Sequence, residues 1–262
     1  MANSRNGGAG KRPCRSLFCA DLCRTKAFGE HAAVHSVIVT VPVLIALAGI
    51  LAVTVLAVQA NAAQRNARRT LLDNCAGLLD QSVIQHGGDD YPRLDGLHSG
   101  LRIQAELISD NMTIRRLPQL WLSITRIEPC NGLPEFGVLV RPAGTEFYAL
   151  TPNMARRLDR PQGWPEEVMV RGSGPASQNL LTGASPTVGR ILADGKVKEI
   201  AVSASGLRIV WQASEGRRGE YLLLRQATFD DASVSADDFR TRLSELNDLS
   251  RAIDASWKGP QT

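Results

Sequence analysis

Aromatic residues are scarce, only 5% of the 262 residues, and histidines scarcer still. The four histidines, His31, His35, His86 and His98, all precede residue 99, so the long C-terminal part has no imidazole to serve as a general base. A Ser-His-Asp arrangement would have to draw on His86 or His98. The nearby serine, in Gly96-Leu97-His98-Ser99-Gly100, does not sit in the G-x-S-x-G pattern of a nucleophile elbow. The acidic pairs Glu166-Glu167, Asp230-Asp231 and Asp237-Asp238 are adjacent in sequence, so on a strand their carboxylates diverge. Neither a P-loop nor a G-x-G-x-x-G fingerprint occurs, and no cofactor is implied. These absences weigh against an enzyme without excluding one.

Net charge is also missing from most of the chain. Of 30 basic and 26 acidic residues, six and two precede Ala33, which leaves 24 of each sign from Ala33 onward. The alkaline pI of about 8.9 therefore belongs to a short tail. A neutral domain lacks the electrostatic footprint of a nucleic-acid binder, so nucleic acid is not expected as a partner.

What the sequence does hold is one long apolar run. Val34 to Val58 carries no formally charged residue and includes Pro42 and Gly49, both tolerated in membrane helices. As a helix of roughly 1.5 Å per residue it exceeds the ~30 Å hydrocarbon layer. The expected organisation is a disordered basic tail over residues 1–32, a transmembrane helix over 33–60, a juxtamembrane amphipathic helix over 61–86 and an extracytoplasmic domain over 87–262. Basic residues close to the two ends of the run tie at Arg15, Arg24 and Lys26 against Arg65, Arg68 and Arg69. The remaining tail charges favour a cytoplasmic N-terminus and a periplasmic domain in a single-pass inner-membrane protein. A competing reading takes Ala60-Asn61-Ala62 as a signal-peptidase site, but the apolar run is longer than a signal peptide uses.

Five cysteines divide across this boundary: Cys14, Cys19 and Cys23 before it, Cys75 and Cys130 after it. A pair in an oxidising compartment is a candidate disulfide, Cys75 with Cys130. The tail trio, C-x4-C-x3-C, is not a structural zinc spacing. His86, Asp89, Asp90 and His98, with Asp95, crowd one short stretch and are weak candidates for a metal site; turn composition explains the same residues.

Beyond the run, Leu72, Cys75, Leu79 and Val83 recur at helical spacing and predict an outward helix to about Gln85. Strands are predicted at 101–107 by strict alternation, at 111–116, and at 119–127 by apolar residues on both faces. A hairpin is expected from 135–141 and 145–150 across Pro142-Ala143-Gly144, then a short helix from Thr151-Pro152 to Leu158. A strand at 166–171 precedes a helix that opens after Gly172-Ser173-Gly174-Pro175 and restarts at Ser185-Pro186. Strands at 198–204, 207–212 and 221–224 lead to the clearest soluble helix. Ser235 caps it, Asp237 and Asp238 fill its first turn, and Phe239, Leu243, Leu246, Ile253 and Trp257 form its stripe. The fold class is α+β: an antiparallel, partly meandering sheet with inserted helices and a C-terminal helix packed on it.

Arg115-Arg116-Leu117-Pro118-Gln119-Leu120-Trp121-Leu122, with Lys198-Glu199-Ile200 leading to Gly206-Leu207-Arg208-Ile209-Val210-Trp211, resembles a group of bacterial single-pass membrane proteins of unknown function. The resemblance implies a bacterial envelope setting and carries no activity or site residue. With it, the reading is a membrane-anchored envelope protein working by contact with the lipid bilayer, a protein partner or a second copy. The alternative is a membrane-tethered periplasmic hydrolase or metal-dependent enzyme using His86 or His98.

Overall fold

The structure is a computed structural model that describes residues 20–88, 91–111, 117–128, 132–219, 221, 229 and 234–257, with side chains from Val41 onward. The chain divides into two units, Met1–Ala62 and Ala63–Thr262.

The described residues of the first unit are helical. Helix α1 runs from Ala20 to Arg69, through Pro42, and contains Val34, Gly49 and Val58. It begins well before the predicted start at residue 33: Asp21 to Ala32 contain no proline, and half of them are good helix formers. It is the one helix among the described residues long and apolar enough to cross a membrane: its most apolar window has a mean hydropathy of 2.8 and none of it is buried. Leu44, Ile45, Ile50, Leu51, Val53 and Leu56 are each more than 60% exposed.

The second unit is built on one nine-stranded antiparallel sheet. Its strands are β1 (Asp80–His86), β2 (Pro92–His98), β3 (Leu101–Asp110), β4 (Gln119–Ile127), β5 (Phe136–Val140), β6 (Arg156–Arg157), β7 (Val168–Gly172), β8 (Val197–Ser203) and β9 (Gly206–Glu215). Their spatial order is β1-β2-β3-β4-β9-β8-β5-β7-β6. The fold class is thus α+β as expected, although β1, β2 and β6 are strands that the sequence reading does not include.

Several predicted elements are corrected. The juxtamembrane helix does not reach Gln85. Helix α1 stops at Arg69, a short helix α2 (Asp73–Ala76) follows, and residues 80–86 form strand β1. The apolar stripe holds for Leu72, Cys75 and Leu79, all buried, but Val83 is 54% exposed on the strand. Gly77 interrupts the helix, and the β-branched Val83-Ile84 pair suits the pleated edge better. Strand β2 lay hidden in what reads as a loop, because Pro92, Asp95 and Gly96 carry turn composition. It joins β3 by a two-residue turn in which Ser99 and Gly100 both have positive φ, and this turn accounts for the serine beside His98.

Residues 145–150 do not pair with β5, whose neighbours are β7 and β8. The expected helix from Thr151 is one 3-10 turn, Thr151–Asn153. Helix α3 (Ala176–Leu192) runs unbroken through Gly183 and Pro186. Gly183 sits where any side chain would collide with Ser256, so helix α4 (Ala236–Ser256) packs close against it. The strands predicted at 111–116 and 221–224 lie almost wholly outside the described residues.

Helices α3 and α4 cover one face of the sheet. That face offers Ile103, Leu107, Leu122, Ile124, Phe136, Val138, Ile200, Val202, Leu207 and Ile209, and α4 answers with Phe239, Leu243, Leu246, Leu249 and Ile253, all buried. Ser235 caps α4 as predicted, its Oγ accepting from Asp238 N at 3.0 Å.

Candidate functional site

Among the described candidates, His86 and His98 are not brought together. On the β1–β2 hairpin His86 pairs with Pro92, while His98 lies six residues further along β2, roughly 20 Å at about 3.3 Å per residue. Asp89, Asp90 and Cys130 lie outside the described residues. Among the described residues no group of three metal-ligating side chains occurs. Cys75 is a free, buried thiol whose Sγ donates to the Val234 carbonyl at 3.6 Å. Burial, with Asp238 nearby, pushes its pKa up to about 12, so it stays protonated and unreactive.

The chemistry gathers instead on the sheet face opposite the helices. Strand register places Glu106 and Ile108 of β3, Trp121 and Ser123 of β4, Arg208 and Val210 of β9, and Glu199 of β8 on that face. A bulge between Val197 and Glu199 inserts Lys198 as an extra residue, and its ammonium reaches the same face, 5.9 Å from the Trp121 ring.

The segment from Arg141 to Thr151 lies over these groups, held by two buried glutamates. Glu146 accepts from the amides of Ala143 at 2.6 Å and Gly144 at 2.8 Å and pairs with Lys198 Nζ at 2.8 Å. Lys198 also donates to the Arg141 carbonyl at 2.8 Å. Burial pushes the Glu146 pKa upward, but the Lys198 hydrogen bond and charge and the Ala143 amide prevail and hold it below the usual carboxylate range. Glu199, wholly buried, accepts three bonds of 2.8 Å through one oxygen, from Leu150 N, Thr151 N and Thr151 Oγ1. Thr151 fits because it packs on Gly137 of β5, where a side chain would strike it. Between the glutamates Tyr148 stacks near Trp121, ring centres 5.8 Å apart, and its carbonyl accepts from Arg208 at 2.9 Å. Burial, reinforced by Asp110, Glu146 and Glu199, raises the Tyr148 pKa, so its hydroxyl remains neutral.

Beside this segment opens a groove of about 640 Å³, lined by Arg68, Tyr91, Glu106, Phe147, Tyr148 and Arg208 among others. Phe147 is 61% exposed, its ring edge-on to Tyr148 at 5.4 Å. Arg68 lies over the Tyr91 ring at 5.4 Å. Cations, one carboxylate and aromatic faces meet on one concavity.

On the helical side a second charged cluster surrounds Trp211. Its indole donates to Asp194 at 3.0 Å, and Lys196 and Arg242 lie over its ring at 5.0 and 5.4 Å. Arg242 pairs with Asp194 at 3.0 Å and Glu245 at 3.2 Å. Burial lifts the Glu245 pKa to about 7, despite Arg242, with Asp194 adding to the rise. Arg190 of α3 bonds Asp248 of α4 at 2.8 Å, so this cluster clamps helix to helix and both to the sheet.

The sequence carried one usable sign of the first cluster: Lys198-Glu199, two adjacent charges inside an otherwise apolar strand. Glu146 and Tyr148 gave none, because they look like alternating residues of a hairpin. No protein-family model and no curated protein matches the chain.

Proposed function

We propose that this protein is a membrane-anchored bacterial envelope protein whose C-terminal domain works as an interaction module in the periplasm, N-terminus cytoplasmic. Helix α1 carries the reading. The eighteen residues from Val41 to Val58 are all exposed and, but for Gly49 and Thr54, carry apolar side chains, and water is a poor solvent for such a surface. The charge-neutral remainder of the chain and the groove of mixed chemistry favour recognition of another molecule by contact. Carbonate extraction tests the anchor, the chain remaining in the membrane pellet. Protease treatment of spheroplasts tests the side, the domain being digested while the outer surface alone is accessible. A chain released by carbonate, or a domain protected until the membrane is lysed, overturns the proposal.

A further inference from the structure

The groove between Phe147 and strands β3 and β9 carries side chains of both charges. Two guanidinium groups come from different parts of the fold, Arg68 at the end of α1 and Arg208 on β9. Arg208 uses Nε on Ser123 Oγ and Nη2 on the Tyr148 carbonyl, which fixes its plane and leaves Nη1 uncommitted. Glu106, half-buried on β3, makes no hydrogen bond or ion pair among the described residues, although it lines the same concavity. With no partner among the described residues, the Glu106 carboxylate is available to a cation that enters the groove. Phe147 leaves a large apolar ring in water at the same place. The volume suits a small polar group with an apolar extension.

Chain length narrows the source. Arg68 follows Val58, the end of the apolar run, by ten residues, which span only about 15 Å as helix. One wall of the groove is therefore joined to the apolar run by ten residues of chain.

We infer that the groove takes the headgroup of an amine-bearing phospholipid, the phosphate meeting Arg68 and Arg208, the ammonium meeting Glu106, and the glycerol and first acyl carbons covering Phe147. This rests on the anchored reading above and deepens it. Arginine suits phosphate because its planar fork donates two parallel bonds, and a primary ammonium supplies hydrogen bonds that a trimethylated one does not.

The test replaces Phe147 with the photoreactive p-benzoylphenylalanine in the full-length chain. The protein is irradiated in nanodiscs of phosphatidylcholine doped with either phosphatidylethanolamine or phosphatidylglycerol, and the adducts are weighed by mass spectrometry. The inference expects adducts dominated by phosphatidylethanolamine, and a roughly tenfold fall in their yield in Glu106→Gln, the loss of one charge-assisted bond. Equal labelling by the three lipids, or a yield unchanged by Glu106→Gln, overturns it. So does irradiation in native membranes that gives only protein-sized adducts or a cross-linked second copy, an outcome that leaves the anchored interaction module standing. Release of the chain by carbonate sinks both.

Discussion

The two faces of the sheet are stabilised in opposite ways. Under α3 and α4 the contact is mainly apolar, with Leu122, Ile124, Phe136, Ile200 and Phe239 wholly buried, and the charged cluster around Trp211 adds to it. On the other face a loop is fixed by Lys198, Glu146 and Glu199, which are 5%, 9% and 0% exposed. Apolar packing is forgiving of direction and sums over many small contacts. A buried ion pair is directional and gives little net stability over an apolar substitute, yet losing one member is severe. The helical face therefore supplies stability, while the other supplies a fixed loop geometry beside the groove.

The largest effects should come from breaking each face in its own way. Lys198→Met strands the Glu146 carboxylate and should lower stability by about 3–5 kcal/mol in chemical denaturation. Adding Glu146→Gln removes the stranded charge and should recover at least half of that loss. Phe239→Ala, which opens a cavity under α4, should cost about 3–5 kcal/mol, and Glu146→Gln should not recover it. Equal rescue of both single variants would erase the distinction between the faces.

A smaller effect sharpens the comparison through pH. Glu245 in the fold binds its proton up to about pH 7, well above an unfolded glutamate. Its contribution is present below the unfolded pKa and is lost as pH rises through about 7. The stability of the native chain relative to Glu245→Gln should therefore fall by roughly 1–3 kcal/mol between about pH 4 and about pH 8. A flat difference across that range would remove Glu245 from the titration. Smallest of all, Ser235→Ala should cost about 1 kcal/mol by releasing the Asp238 amide at the start of α4, read as a drop in the unfolding midpoint.

The helical face was the legible one. Strands β3 and β4 and helix α4 announced themselves because alternation, a continuous apolar run and a capped stripe each reflect burial against a single neighbour. Strand β1 reads as helix because Leu72, Cys75 and Leu79 satisfy the helical period over α2 and its exit, and the pattern breaks only at Val83. The other face was illegible for two reasons. Lys198 reaches it only through a bulge, which no periodicity encodes, and Glu146 is buried by a loop whose shape its own carboxylate creates. The groove depends on partners from α1, β3, β9 and the 141–151 segment, a conjunction visible only after folding.

Cys75 offers a way to watch this architecture breathe. Its sulfur is sealed between α2 and the residue that leads into α4, where Leu71 O also accepts from Val234 N at 3.0 Å. A protonated thiol in such a seam meets an alkylating reagent only when the seam parts. The rate at which a maleimide marks this one cysteine, located by peptide mapping, thus clocks the opening of the junction between the start of the domain and its final helix.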